Sequence, residues 1–173
     1  ISVAKKLHAL GKRVIIFDYS SPKGYDEYEL KKVLPEAYIQ ENITIGTDAN
    51  LDFVLEHEKN IVIIQSSPRK AEQLLCDLFD YCDAHKAEEK ETYVVFDEAA
   101  SMDISTDSAL GNVILNGQKI SFNILAATQV LAGEGVVEKT KLLTQSSVKL
   151  AFGLDEKTAA EAAREHIAGV LPK

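Results

Sequence analysis

The stretch Thr92-Tyr93-Val94-Val95-Phe96-Asp97-Glu98-Ala99-Ala100 decides the fold, because an apolar run ends abruptly in two adjacent carboxylates. Tyr93 to Phe96 are β-branched or aromatic, which predicts a strand buried on both faces. Asp97 and Glu98 then fall where that strand emerges at the carboxyl edge of a sheet, the place where open α/β sheets hold their ligands. Such a pair divides naturally in nucleotide hydrolysis: a first acid holds Mg²⁺, usually through water, and a second orients the water that attacks the terminal phosphate. The same residues also read as a strand running into an acidic helix N-terminus, where carboxylates suit the helix dipole.

At 173 residues the chain fits one domain, 1–173. Its 46% hydrophobic content supplies a full core, and 27% charged residues are ordinary for a soluble globular protein. No run approaches the ~18 consecutive apolar residues of a membrane span. Residues 1–6 lack the apolar centre of a signal peptide, and together these features predict a cytoplasmic location with no membrane segment. A net charge of -8 argues against a basic surface that coats nucleic acid, though it leaves room for a local basic loop. Cys76 and Cys82 point to different faces of an expected helix and match no zinc spacing, which predicts buried thiols. His8, His57, His85 and His166 form no close metal pair, and each reads as a surface or helix-end residue.

Outward from the organising strand, the rest of the chain alternates apolar runs with helical periodicity. Val3, Leu7 and Leu10 are spaced as a helix that Gly11 stops. Residues 14–17 are a buried strand closed by Asp18. Residues 20–24 are turn-rich, 28–34 are a short helix stopped by Pro35, and 37–45 alternate loosely as a peripheral strand carrying Tyr38, Ile39, Ile43 and Ile45. Asn50 caps a short helix, and 60–65 are a third buried strand. Ser67 as N-cap and Pro68 at the first helical position open the best-defined helix, in which Ala71, Leu74, Leu75, Leu78, Phe79 and Cys82 form one apolar stripe. Residues 85–91 are a charged, solvated helix end. Beyond the organising strand come a helix over 109–115, weakened by Gly111, and a strand over 120–127 ending in Thr128 and Gln129. A helix over 136–143, a strand over 147–152 and a helix over 155–166 complete the pattern. Strands separated by helices throughout predict an α/β fold with a mostly parallel sheet and helices on both faces. The glycine fingerprint of a dinucleotide-binding domain is absent from every strand-to-helix turn, as is the Gly-x-Ser-x-Gly elbow of a hydrolase.

This order of motifs is similar to the HerA/FtsK group of P-loop ATPases, which includes DNA-pumping motors and the ATPases of conjugation and type IV secretion. The resemblance implies a RecA-like P-loop NTPase fold, incomplete at both ends, using ATP and Mg²⁺. It assigns Asp97 to Mg²⁺ as the first Walker B acid, Glu98 to the attacking water, and Gln129, on the Ala127-Thr128-Gln129 motif, to sensing the γ-phosphate as both a catalytic and a nucleotide-binding residue. It implies self-association as a ring, a hexamer by the family's habit, that moves DNA or a secreted protein.

Three departures accompany it. No Gly-x-x-x-x-Gly-Lys-Ser/Thr occurs in the chain, although its backbone N–H groups and lysine cradle the phosphates; the resemblance therefore places that loop just before Ile1. Gln118 stands where relatives carry arginine, and Val130-Leu131 stand where Arg-Pro is common, which removes positive charge from transition-state stabilisation between subunits. The closing strand is also missing. A non-catalytic RecA-like module for assembly or binding is the alternative from a different functional class, and a partition or carrier ATPase is a third.

Overall fold

The computed structural model describes residues 1–18, 27–47, 49–86, 90–97 and 108–126. In chain order the elements are α1 (Ser2–Ala9), β1 (Arg13–Asp18), α2 (Glu27–Val33), α3 (Glu36–Asn42), β2 (Ile43–Thr47), α4 (Leu51–Glu56), β3 (Ile61–Gln65), α5 (Pro68–Ala84), β4 (Thr92–Asp97), α6 (Ala109–Asn116), a 3-10 turn (Gly117–Ile120) and β5 (Phe122–Ala126). The five strands form one sheet, parallel throughout, in the order β2-β3-β1-β4-β5. The expected α/β architecture with helices on both faces is therefore present. The turn-rich 20–24 segment and the elements expected over 136–143, 147–152 and 155–166 lie outside the described residues.

Two apolar layers enclose the sheet. On one face Phe17, Val62, Ile64, Val94 and Phe96 meet Val54 of α4, Leu75 and Leu78 of α5 and Val113 of α6. On the other, Val14, Ile16, Ile61 and Ile63 meet Ala4 of α1, Leu30 of α2 and Ile39 of α3. The connections β2 to β3, β3 to β4 and β4 to β5 step toward the β5 edge over the first face, whereas β1 to β2 steps the other way over the second. Reversing both direction and face preserves the hand. All four crossovers therefore share one hand, as the strong preference for right-handed β-α-β units requires.

Local expectations hold where one physical cause dominates. All six residues of β1 are buried, since it has a strand on each edge and helices over both faces. In α5, Ala71, Leu74, Leu75, Leu78 and Cys82 are buried and Phe79 packs beside them, each buried leucine contributing about 1.5–3 kcal/mol relative to an exposed one. The Asn50 side chain accepts from the Phe53 N–H at 3.0 Å and caps α4. Ser67 and Pro68 stand as expected at the start of α5, but the Ser67 hydroxyl makes no capping bond. Gly11 ends α1 with a φ of 75°, a conformation glycine adopts without strain. Cys82 is buried, whereas Cys76 is only half-buried.

Four expectations are corrected. Residues 37–42 are helical, and the strand begins only at Ile43: Pro35, which stops the preceding helix, also sits at the N-cap of α3 with φ -59° and ψ 143°. The edge strand that follows is peripheral, as expected. On α1 the buried residue is Ala4, flanked by Ile1 and Leu7, while Val3 and Leu10 are exposed; the small Ala4 side chain lets the helix lie close on β1 and β3. In β4, Val94 and Phe96 are buried but Tyr93 and Val95 are half-buried, because α1 and α3 pack over β1, β2 and β3 on that face.

The fourth correction concerns the charged segment before β4, whose last residues are tied into an ion-pair cluster at the amino edge of the sheet. Arg13, only 2% exposed, donates from Nη2 to Glu58 Oε2 at 2.9 Å and from Nη1 to Thr92 Oγ1 at 3.4 Å. Lys90 donates to the other Glu58 oxygen at 2.9 Å, and Lys12 pairs with Glu91, which also accepts from the Tyr93 hydroxyl at 2.8 Å. A desolvated guanidinium needs such partners, since removing one strands a buried charge. Hydrogen bonds from Arg13 and then Lys90 hold the Glu58 carboxyl below its ordinary 4.5, and Lys12 and Tyr93 do the same for Glu91.

A depressed folded pKa means that the stabilisation is complete above the unfolded value and is lost as pH falls through the folded one. Thermal denaturation followed between about pH 3 and pH 7 should therefore show a melting temperature that drops below the ordinary carboxylate range. The drop should be shallower in Glu58→Gln; an equally steep drop would place the acid lability elsewhere.

Candidate functional site at the carboxyl edge

The register of the sheet aligns the last residues of four strands. Thr47 pairs with Gln65, Gln65 with Asp18, and Asp18 with Asp97. β1 leaves this edge over one face toward β2 and its neighbour β4 leaves over the other toward β5, so the chain diverges between Asp18 and Asp97. Such a topological switch point is where open parallel sheets open a crevice for ligands.

Asp97 is the final residue of β4, as its sequence pattern predicts. Glu98 and Gln129 lie outside the described residues. What the structure does decide is the requirement they share. β4 and β5 are adjacent and parallel, Phe96 pairs with Ala126, and α6 lies in the connection between them. β5 therefore ends at Ala126, one residue short of the level at which Asp97 ends β4.

Asp18 also closes a buried apolar run, and nothing in the sequence links it to Asp97. The structure puts it directly beside Asp97 in the pairing of the two central strands, with only 4% of its surface exposed. The signal was the one used for Asp97, an apolar strand ending in a carboxylate; what was missing was the strand order that makes the two neighbours. Behind them, Phe17 and Phe96 stack with ring centroids 5.3 Å apart and planes 12° from parallel. Alternation along β1 puts position 18 on the face opposite Phe17.

Two helix starts frame this edge, and a turn closes the other end of the last crossover. Ser66 and Ser67 continue from Gln65 into α5, with the Ser66 hydroxyl 3.4 Å from the Ser67 carbonyl. Ser108 caps α6 by accepting from the Gly111 N–H at 3.0 Å. At the far end of the same crossover, a Cβ on Gly117 would lie 2.5 Å from the Phe122 carbonyl oxygen, so only glycine lets the 3-10 turn close onto the start of β5.

The donors at the carboxyl edge are carboxylate, amide and hydroxyl oxygens, a set that suits a hard cation such as Mg²⁺ rather than zinc. The described histidines stand elsewhere: His57 and His85 end α4 and α5, each with Nδ1 2.9 Å from the carbonyl four residues earlier, and His8 lies in the last turn of α1. No group of three His, Cys, Asp or Glu side chains able to hold a metal occurs among the described residues, and no described helix is long and apolar enough to cross a membrane. Comparison with protein-family models, with curated proteins and with solved structures finds no match.

Proposed function

We propose that the chain is most of a RecA-like ATPase domain of the HerA/FtsK type, hydrolysing ATP in a ring-shaped motor that moves DNA or a secreted protein. The observation that carries this reading is the pairing of β4 with β5, which brings the strand ending in Asp97 beside the strand that leads to Gln129. In this reading Asp97 would hold Mg²⁺, and the ion would supply charge neutralisation at the phosphates. The Glu98 carboxylate accepts a hydrogen bond from the attacking water and orients it. The Gln129 amide donates to a terminal phosphate oxygen, a bond that strengthens as charge builds there.

The hand of the crossovers supports the same assignment. Over the face that carries α1, the chain steps from the β5 side of the sheet toward β2. A strand feeding α1 with that hand lies on the β5 side of β1, where β4 and β5 hold the first two places, and so beyond β5. The turn from such a strand into α1 would open at the carboxyl edge, next to Asp97 and the continuation of β5. A phosphate cradle carried by that turn completes the site.

The test follows from the sequence, which contains acids for a metal but no phosphate cradle. Calorimetric titration of these 173 residues with Mg-ATP should give no appreciable binding, and the parent polypeptide, extended upstream, should bind and hydrolyse it. Micromolar affinity in the 173-residue chain would overturn the placement of the cradle upstream.

A further inference from the structure

The amino edge of the sheet, opposite the proposed nucleotide site, holds a second feature that hydrolysis does not use. A cleft of about 150 Å³ is lined by His8, Gly11, Lys12, Glu58, Lys59 and Lys90. It forms where the end of α1 and the approaches to β1, β3 and β4 converge, so sequence positions some fifty and eighty residues apart share one concavity. We propose that this cleft is an anion site that takes a phosphate group.

Charge is the first reason. Glu58 serves two cations, Arg13 at 2.9 Å and Lys90 at 2.9 Å, and Glu91 serves Lys12. Lys59 lines the cleft, is exposed and has no ion-pair partner among the described residues. Glu58 and Glu91 are thus already engaged, and among these described residues the cations Lys12, Arg13, Lys59 and Lys90 exceed them by two. This surplus stands in a chain of net charge -8, and a concave, partly desolvated wall focuses such a local field. The Arg13 guanidinium is buried, so its charge is a fixed part of that field.

Geometry is the second reason. His8 Nε2 lies 2.7 Å from the Lys59 carbonyl oxygen; a carbonyl only accepts, so Nε2 carries the proton. That bond clamps the end of α1 to the approach to β3 and holds the backbone of Lys59 at the rim. Gly11 leaves the adjacent wall without a side chain. The volume is several times the roughly 30 Å³ share of one water and below the roughly 300 Å³ at which sites for drug-sized ligands begin. It suits a tetrahedral oxyanion, either free or as one phosphate of a larger molecule that stays outside.

Calorimetry at low ionic strength with inorganic phosphate as the probe tests this. Saturable binding is expected, weakened about ten-fold or more in Lys59→Glu and less than about two-fold in Lys119→Glu, a charge-matched change outside the cleft. Lys59→Gln, which removes the charge without reversing it, should fall between, and the melting temperature of each variant reports folding. A single-stranded oligonucleotide that displaces phosphate would identify a nucleic-acid backbone as the source of the group, and failure to displace it would identify a small phosphate; either outcome keeps the site. Absence of saturable phosphate binding, or equal affinity in Lys59→Glu, overturns it.

Discussion

Phe17→Ala should lower the unfolding free energy by about 3–5 kcal/mol, the range for deleting a buried aromatic ring. Phe17 has no exposed surface, belongs to the central strand, and stacks on Phe96 in the layer that α4, α5 and α6 cover. The neighbours are held by a continuous parallel sheet, so they relax little and the cavity persists. Stacking adds about 0.5–1.5 kcal/mol beyond area burial, so Phe17→Leu should cost clearly less than the alanine change while still losing that contribution. Against a total stability of about 5–15 kcal/mol for a domain of this kind, that is a large fraction of the whole. Urea denaturation measures the effect. Because Phe17 and Phe96 are in contact, the double alanine variant should cost less than the sum of the two single changes. Strict additivity would mean that the rings do not couple the two strand ends that carry Asp18 and Asp97.

If the chain is the proposed ATPase, Glu98→Gln made in a longer polypeptide that supplies the phosphate cradle should slow ATP hydrolysis by about two orders of magnitude or more while leaving nucleotide affinity nearly unchanged. Glutamine keeps the volume and one carbonyl oxygen, but it cannot act as a carboxylate toward water, so only the step that activates water is lost. Asp97→Ala should behave differently, weakening binding in a manner that depends on Mg²⁺, because the acid beside the sheet edge holds the ion rather than the water. Steady-state hydrolysis and equilibrium nucleotide binding, measured on both variants, separate the two roles. Hydrolysis at the parental rate in Glu98→Gln would remove Glu98 from its assignment. A parent polypeptide that binds nucleotide without hydrolysing it would favour the alternative of an assembly module that keeps the fold.

The sequence alone determined the elements whose cause is local. Runs of β-branched and aromatic residues became β1, β3 and β4, and in β1 and β3 the consecutive apolar side chains are buried because both faces of the strand are covered. The three-and-four spacing from Ala71 to Cys82 became α5, and Asn50 and Gly11 marked a helix start and a helix stop through hydrogen bonding and a positive φ that need no distant partner. Asp97 at the end of its strand was legible for the same reason.

What only the tertiary structure decided concerns partners far apart in the chain. Ile39 and Ile43 are compatible with a strand or a helix until Pro35 and the layer formed with Leu30 and Leu34 settle which side chains turn inward. Val3 and Leu10 are more apolar than Ala4, yet the close approach of α1 to β1 and β3 buries the smaller residue. An arginine is costly to bury, but Glu58, forty-five residues from Arg13, and Thr92, seventy-nine away, make its burial tolerable. Strand order is the clearest case. β1 lies between β3 and β4, not beside β2, because the two apolar layers and the common hand of the crossovers act on whole elements rather than on neighbouring residues. That order is what makes Asp18 and Asp97 neighbours, and no local pattern in either strand carries it.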